Sequence, residues 1–114
     1  NNFGLFGSFQ KARRLLKRFC TITSERARII AESLDPYDTD NPFHLSYHRR
    51  NRQRSRMSGQ IRMRVRYKKY VSPWFDYLCV SQEEMNKILK GTGWRVRKFI
   101  VGQSASYNAI IEKE

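Results

Sequence analysis

Residues 80–113 run VSQEEMNKILKGTGWRVRKFIVGQSASYNAIIEK, and this stretch decides the fold. Ser81 and Glu84 form the Ser-x-x-Glu capping box, which satisfies two of the free N–H groups at the start of a helix. Met85, Ile88 and Leu89 then fall on one helical stripe, and Gly91 stands where a left-handed residue ends the helix. Trp94 to Val101 reads as a strand, Gly102 to Ser106 as a turn of small residues, and Tyr107 to Glu112 as a second strand. A helix followed by an antiparallel hairpin at the end of the chain points to the α/β class.

Upstream, Trp74 to Val80 is another strand, separated by Ser72-Pro73 from a run in which Ile61, Met63, Val65 and Tyr67 alternate with Arg62, Arg64, Arg66 and Lys68. Alternation of this kind predicts a half-buried strand with one apolar and one cationic face, paired with Trp74 to Val80 as a hairpin or bent antiparallel pair. Phe43 to Met57 suits a helix, ended by Ser58-Gly59, although five arginines within eight positions repel one another there. Arg28 to Leu34 is an apolar, β-branched run that predicts a largely buried strand, closed by Asp35-Pro36-Tyr37. Ser8 caps a predicted helix over Phe9 to Cys20, with Phe9, Ala12, Leu15, Leu16, Phe19 and Cys20 on its apolar stripe.

The 114 residues are 39% hydrophobic, enough for one folded domain. No stretch approaches the roughly 18 apolar residues of a membrane span. Cys20 and Cys79 have neither metal-ligand spacing nor a disulfide framework, which fits free thiols in a reducing cytoplasm. The chain opens without an initiator Met or signal peptide, which suggests a piece of something longer; tag removal or processing would look the same. The net charge of +13 is concentrated. Between Asp40 and Asp76 there is no acidic residue, while the same stretch carries eight arginines and two lysines. Such a field attracts polyanions.

In this order the elements resemble the C-terminal half of a class I S-adenosylmethionine-dependent methyltransferase. The passage Val80-Ser81-Gln82-Glu83-Glu84-Met85 with Gly91-Thr92-Gly93-Trp94 is similar to that family's approach to strand six, and Tyr107 to Lys113 to its last strand. The resemblance makes Arg28 to Leu34 strand five, and Asn1-Asn2-Phe3-Gly4-Leu5-Phe6 the loop after strand four. It implies a Rossmann-like seven-stranded sheet ending in an antiparallel hairpin, here with a basic, β-rich insert over about residues 38–72. The glycine-rich turn after strand one and the ribose-binding carboxylate after strand two have no counterpart in these residues. The implied cofactor is S-adenosylmethionine, with the main binding half absent. The implied partner is that N-terminal half, and the chain alone is expected to be inactive. Strand five would leave an open edge, so a homodimer or strand exchange through it is expected.

The resemblance also places candidate site residues. Asn1, Asn2, Phe3 and Gly4 would lie beside the cofactor and the methyl acceptor. Asp35 and Tyr37 follow strand five at the same edge, with Asp35 as a base or hydrogen-bond acceptor. His44, Tyr47 and His48 can share a helix face, and inserts after strand five cover the acceptor in this family. Two histidines four apart, without a glutamate next to His44, do not make a metal site.

Arg49, Arg52, Arg56, Arg62, Arg64 and Arg66 are candidate anion ligands, because the guanidinium fork matches phosphate. Tyr67, Tyr70, Trp74 and Phe75 are available for base stacking. Against that use, Ile61, Met63, Val65 and Tyr67 have the pattern of core residues. The alternative to a methyltransferase half is therefore a small basic nucleic-acid-binding domain. No Ser-His-Asp set, phosphate loop or paired-carboxylate motif is present, and methyl transfer needs none of them, since positioning and desolvation supply most of the rate.

Overall fold

A computed structural model describes residues 1–114. A 3-10 helix, Asn2–Phe6, leads into α1 (Phe9–Ile22), β1 (Arg28–Leu34), α2 (Pro42–Gln53), β2 (Gln60–Met63), β3 (Arg66–Tyr67), β4 (Tyr70–Val71) and β5 (Phe75–Leu78). The chain ends in α3 (Gln82–Leu89), β6 (Trp94–Val101) and β7 (Ser106–Lys113). No helix is long and apolar enough to cross a membrane.

The main sheet has the order β1-β7-β6, with β7 antiparallel to both neighbours. It follows that β1 and β6 run parallel. Ala31, Ser33, Tyr107, Ala109 and Ile111 point to one face and are buried with Leu16, Met85, Ile88 and Trp94. Polar contacts fix the helices to this core. The indole N–H of Trp94 donates to the Leu16 carbonyl at 2.8 Å. Lys113 Nζ donates to the carbonyls of Cys20 and Thr23 at the end of α1, each at 2.6 Å, a cation placed where helix carbonyls are left unpaired. Arg13 does the same for α3, donating to Ile88 O at 2.9 Å and also to Lys90 O.

The predicted local signals are present in α1 and α3. Ser8 Oγ accepts from Lys11 N at 3.2 Å. The capping box closes in both directions, Ser81 N to Glu84 Oε1 at 3.0 Å and Glu84 N to Ser81 Oγ at 3.1 Å. Gly91 has φ +78°.

Three expectations need correction. β1 is not buried on both faces: Ile30 is 60% exposed and Leu34 39%. The helices cover one face only, so Ile30, Ile100 and Leu34 lie on an open side of the sheet. α2 stops at Gln53 rather than Met57. There Asn51 Nδ2 donates to Ser58 O and Gln60 O, both at 2.9 Å, and folds the chain back. The alternating strand is broken in two. β2 pairs with β5 and β3 with β4, and Pro73, opposite the break, has no N–H to donate to a ladder. Its apolar side is not core either, since Val65 is 53% and Tyr67 67% exposed. The β3–β4 tip projects as an arm whose turn places Lys68 at φ +53°.

Candidate functional site

Ligands in α/β sheets sit beyond the carboxyl ends of the parallel strands, and a cleft of about 550 Å³ opens there, past Leu34 at the end of β1. Asp35 and Pro36 form its floor together with Ala105 of the β6–β7 turn, and α2 forms a wall through Phe43, His44, Tyr47 and His48. Ser58, Gly59, Ile61 and Cys79 close the other side. The volume and the mainly apolar lining with a few polar groups suit a small organic molecule.

Local chemistry explains how these residues are held. Asn41 Oδ1 accepts from Phe43 N at 2.9 Å and Pro42 occupies the first turn, so α2 begins directly after the turn that follows β1. Asp35 Oδ1 accepts from Tyr37 N at 2.9 Å, an Asx turn that uses one carboxylate oxygen. The hydroxyl of Thr39 is 2.9 Å from His44 Nδ1. Tyr47 OH accepts from Arg62 N at 3.2 Å and ties α2 to β2. Gly59 permits the tight packing of the far wall: a Cβ there would lie 2.0 Å from the Cys79 carbonyl oxygen.

His48 is buried, and its ring makes no hydrogen bond. Desolvation lowers its pKa below the ordinary imidazole value, helped by the charges of Arg52 and His44 and opposed by Glu84. The cleft therefore holds a neutral imidazole with free ring nitrogens at pH 7. Burial pushes the Cys79 thiol the other way, above its usual range, so it is not a thiolate nucleophile at that pH.

Four of the five predicted acceptor residues, Asp35, His44, Tyr47 and His48, come together in this cleft. Tyr37 lies on its outer side. Its ring packs edge-on against His48 with centroids 5.8 Å apart, its hydroxyl donates to Glu84 Oε2 at 2.8 Å, and it lines a neighbouring depression with Glu83 and Lys87. Phe43, Gly59, Ile61 and Cys79 were not foreseen as lining residues. Ser58-Gly59 carried the one available signal, a glycine where two backbones approach closely.

Asn1, Asn2, Phe3 and Gly4 are engaged within the chain. Asn1 Oδ1 caps the 3-10 helix through Gly4 N at 3.0 Å. Asn2 bonds the edge of β1, Phe3 is in the core, and Gly4 lies under the Tyr77 ring, where a Cβ would meet ring atoms at 2.7 Å.

The predicted anion ligands do not converge. Arg56 pairs with Asp76 at 2.7 Å, Arg62 lies 3.7 Å from the same carboxylate, and Arg52 donates to Ser58 Oγ at 3.1 Å. Arg64 stacks over Trp74 at 4.6 Å, while Arg49 and Arg66 are exposed without an ion pair.

Among solved structures, the chain superimposes on a SAM-dependent methyltransferase from Bacteroides fragilis, determined in complex with S-adenosyl-L-homocysteine, with a TM-score of 0.75 at 17% identity. The fold is shared with a methyltransferase. The match covers 99% of this chain and 44% of that one, so this chain spans less than half the length of the enzyme it resembles. No family model matches the sequence, and no curated protein matches it.

Proposed function

We propose that this chain forms the acceptor side of an S-adenosylmethionine-dependent methyltransferase whose cofactor is held chiefly by residues outside it. The observation that carries this reading is the cleft past the carboxyl end of β1, beside the β6–β7 turn, in a fold shared with a methyltransferase. That no glycine-rich turn after a strand and no ribose-binding carboxylate occur in these residues supports placing most of the cofactor contacts outside the chain.

In this reading the cofactor supplies an electrophilic methyl group. The chain supplies the surface on which the acceptor is oriented and kept from water. Phe43, Ile61 and Tyr47 provide the apolar wall. A free ring nitrogen of His48, neutral at pH 7, takes up the proton of an acceptor N–H or O–H, and Asp35 accepts a hydrogen bond from a second polar group. The open face of the sheet, with Ile30, Leu34 and Ile100, and the outer edge of β1 are the surfaces that an N-terminal half would cover.

The test is a thermal-shift titration with S-adenosyl-L-homocysteine on two polypeptides, this chain alone and this chain with the sequence that precedes it. The longer polypeptide should be stabilised in a concentration-dependent way and the chain alone should not. A folded longer polypeptide that shows no shift would remove the proposal.

A further inference from the structure

The β3–β4 arm was expected to bury its apolar side, and it does not. Tyr67 and Tyr70 are cross-strand partners, which places their rings on the same side of the hairpin, and they are 67% and 66% exposed. Each ring has its own cation: Lys68 Nζ lies 5.4 Å from the Tyr67 ring centroid and Lys69 Nζ 5.8 Å from that of Tyr70. At the base of the arm, Arg64 stacks on Trp74, itself 52% exposed, at 4.6 Å. No carboxylate lies between Asp40 and Asp76, and the nearest one, Asp76, is already paired with Arg56.

We propose that this arm binds single-stranded nucleic acid, with Tyr67, Tyr70 and Trp74 stacking on unpaired bases and Lys68, Lys69 and Arg64 contacting the phosphates between them. The argument is one of complementarity. Exposed aromatic planes paired with cations fit a strand that presents base faces and one charge per nucleotide. A duplex hides its base faces, so it would use the charges and leave the rings idle. An acidic protein surface would likewise use only the charges. A bilayer would favour an apolar tip, and here the tip is Lys68-Lys69. The proposal stands on the arm alone and does not depend on the methyltransferase reading.

Fluorescence offers a local reporter, because Trp94 is buried and Trp74 is the exposed indole. The chain would be titrated with a labelled oligouridylate, following anisotropy and quenching of Trp74, with an equally charged polyglutamate, a duplex of the same length and anionic vesicles as competitors. The expected result is salt-sensitive binding of the oligouridylate, quenching that Trp74→Phe abolishes, and a loss of about fivefold or more in affinity for each of Tyr67→Ala and Tyr70→Ala. Circular dichroism would check that these surface variants keep their fold, and Lys68→Gln, which leaves both rings in place, should reduce the salt dependence. The proposal is overturned if the tyrosine variants bind like the parent. It is equally overturned if polyglutamate, duplex or vesicles compete as well as the oligouridylate, or if no binding occurs.

Discussion

The side-chain amide of Asn2 lies along the outer edge of β1 and takes the place of a neighbouring peptide group: it accepts from Glu32 N at 2.7 Å and donates to Ile30 O at 3.0 Å. β1 is an edge strand in this chain, and such edges invite pairing with another chain. Asn2 satisfies two of its outward-facing groups, so the 3-10 helix acts as a partial cover. Asn2→Ala should cost about 1–2 kcal/mol in urea unfolding, from two hydrogen bonds. It should also raise the self-associated fraction seen by sedimentation. Unchanged stability together with an unchanged sedimentation profile would show that the amide contributes nothing to the edge.

Gly59 and Cys79 meet backbone to backbone, with Cys79 N donating to Gly59 O at 2.8 Å. A methyl group on Gly59 would stand 2.0 Å from the Cys79 carbonyl oxygen, and neither backbone can yield without breaking this contact. Gly59→Ala should therefore lose about 3 kcal/mol or more, at the upper end of overpacking costs. Gly102 is the internal control, because nothing lies within 4 Å of its added Cβ. Gly102→Ala should unfold at nearly the parental denaturant midpoint, and equal losses at the two glycines would refute the packing argument.

Local grammar made α1, α3 and the terminal hairpin legible, because each carries its signal within a few residues: Ser8, the Ser81–Glu84 box, Gly91, and the small residues of the last turn. The grouping of Asp35, His44, Tyr47 and His48 could also be anticipated, since helical spacing puts the last three on one face and the resemblance sets that helix over the end of the strand that Asp35 follows. Tertiary context decided the rest. Alternation from Ile61 to Tyr67 says which residues share a side, but not whether anything covers it, and Pro73 breaks the ladder from the opposite strand. The isoleucines of β1 showed an apolar run without showing that only one face of the sheet has helices. Asn1 and Asn2 are placed beside the cofactor by the resemblance alone, as part of the loop after strand four. Apart from the local cap that Asn1 Oδ1 makes with Gly4 N, their hydrogen bonds reach residues about 30 to 80 positions away, and no local pattern records such contacts.

Glu84 joins the start of α3 to the wall of the cleft. One carboxylate oxygen accepts from Ser81 N and the other from Tyr37 OH. Glu84→Ala removes half of the capping box and the anchor of Tyr37, with an expected loss of about 1–2 kcal/mol. Tyr37→Phe removes only the second contact, which is on the surface, and should cost less than about 1 kcal/mol. Chemical denaturation of the two variants should give that ranking; the reverse order would place the main contribution on the tyrosine.

His48 makes stability depend on pH in a direction that can be stated. Burial lowers its pKa in the folded chain, so the unfolded chain binds the proton more readily. Its contribution is fully present above the ordinary imidazole pKa, about 6.5. It is lost as pH falls from there through the lower folded-state value, and levels off below that. His48→Gln should flatten this part of the stability profile. The neighbouring charges can be tested on the same ring by NMR titration. Removing the cation in Arg52→Gln should raise the His48 pKa, and removing the anion in Glu84→Gln should lower it further. A His48 resonance that titrates at the ordinary value in the parent chain would mean that the ring is solvated, and the pH-dependent contribution argued from its burial would fall.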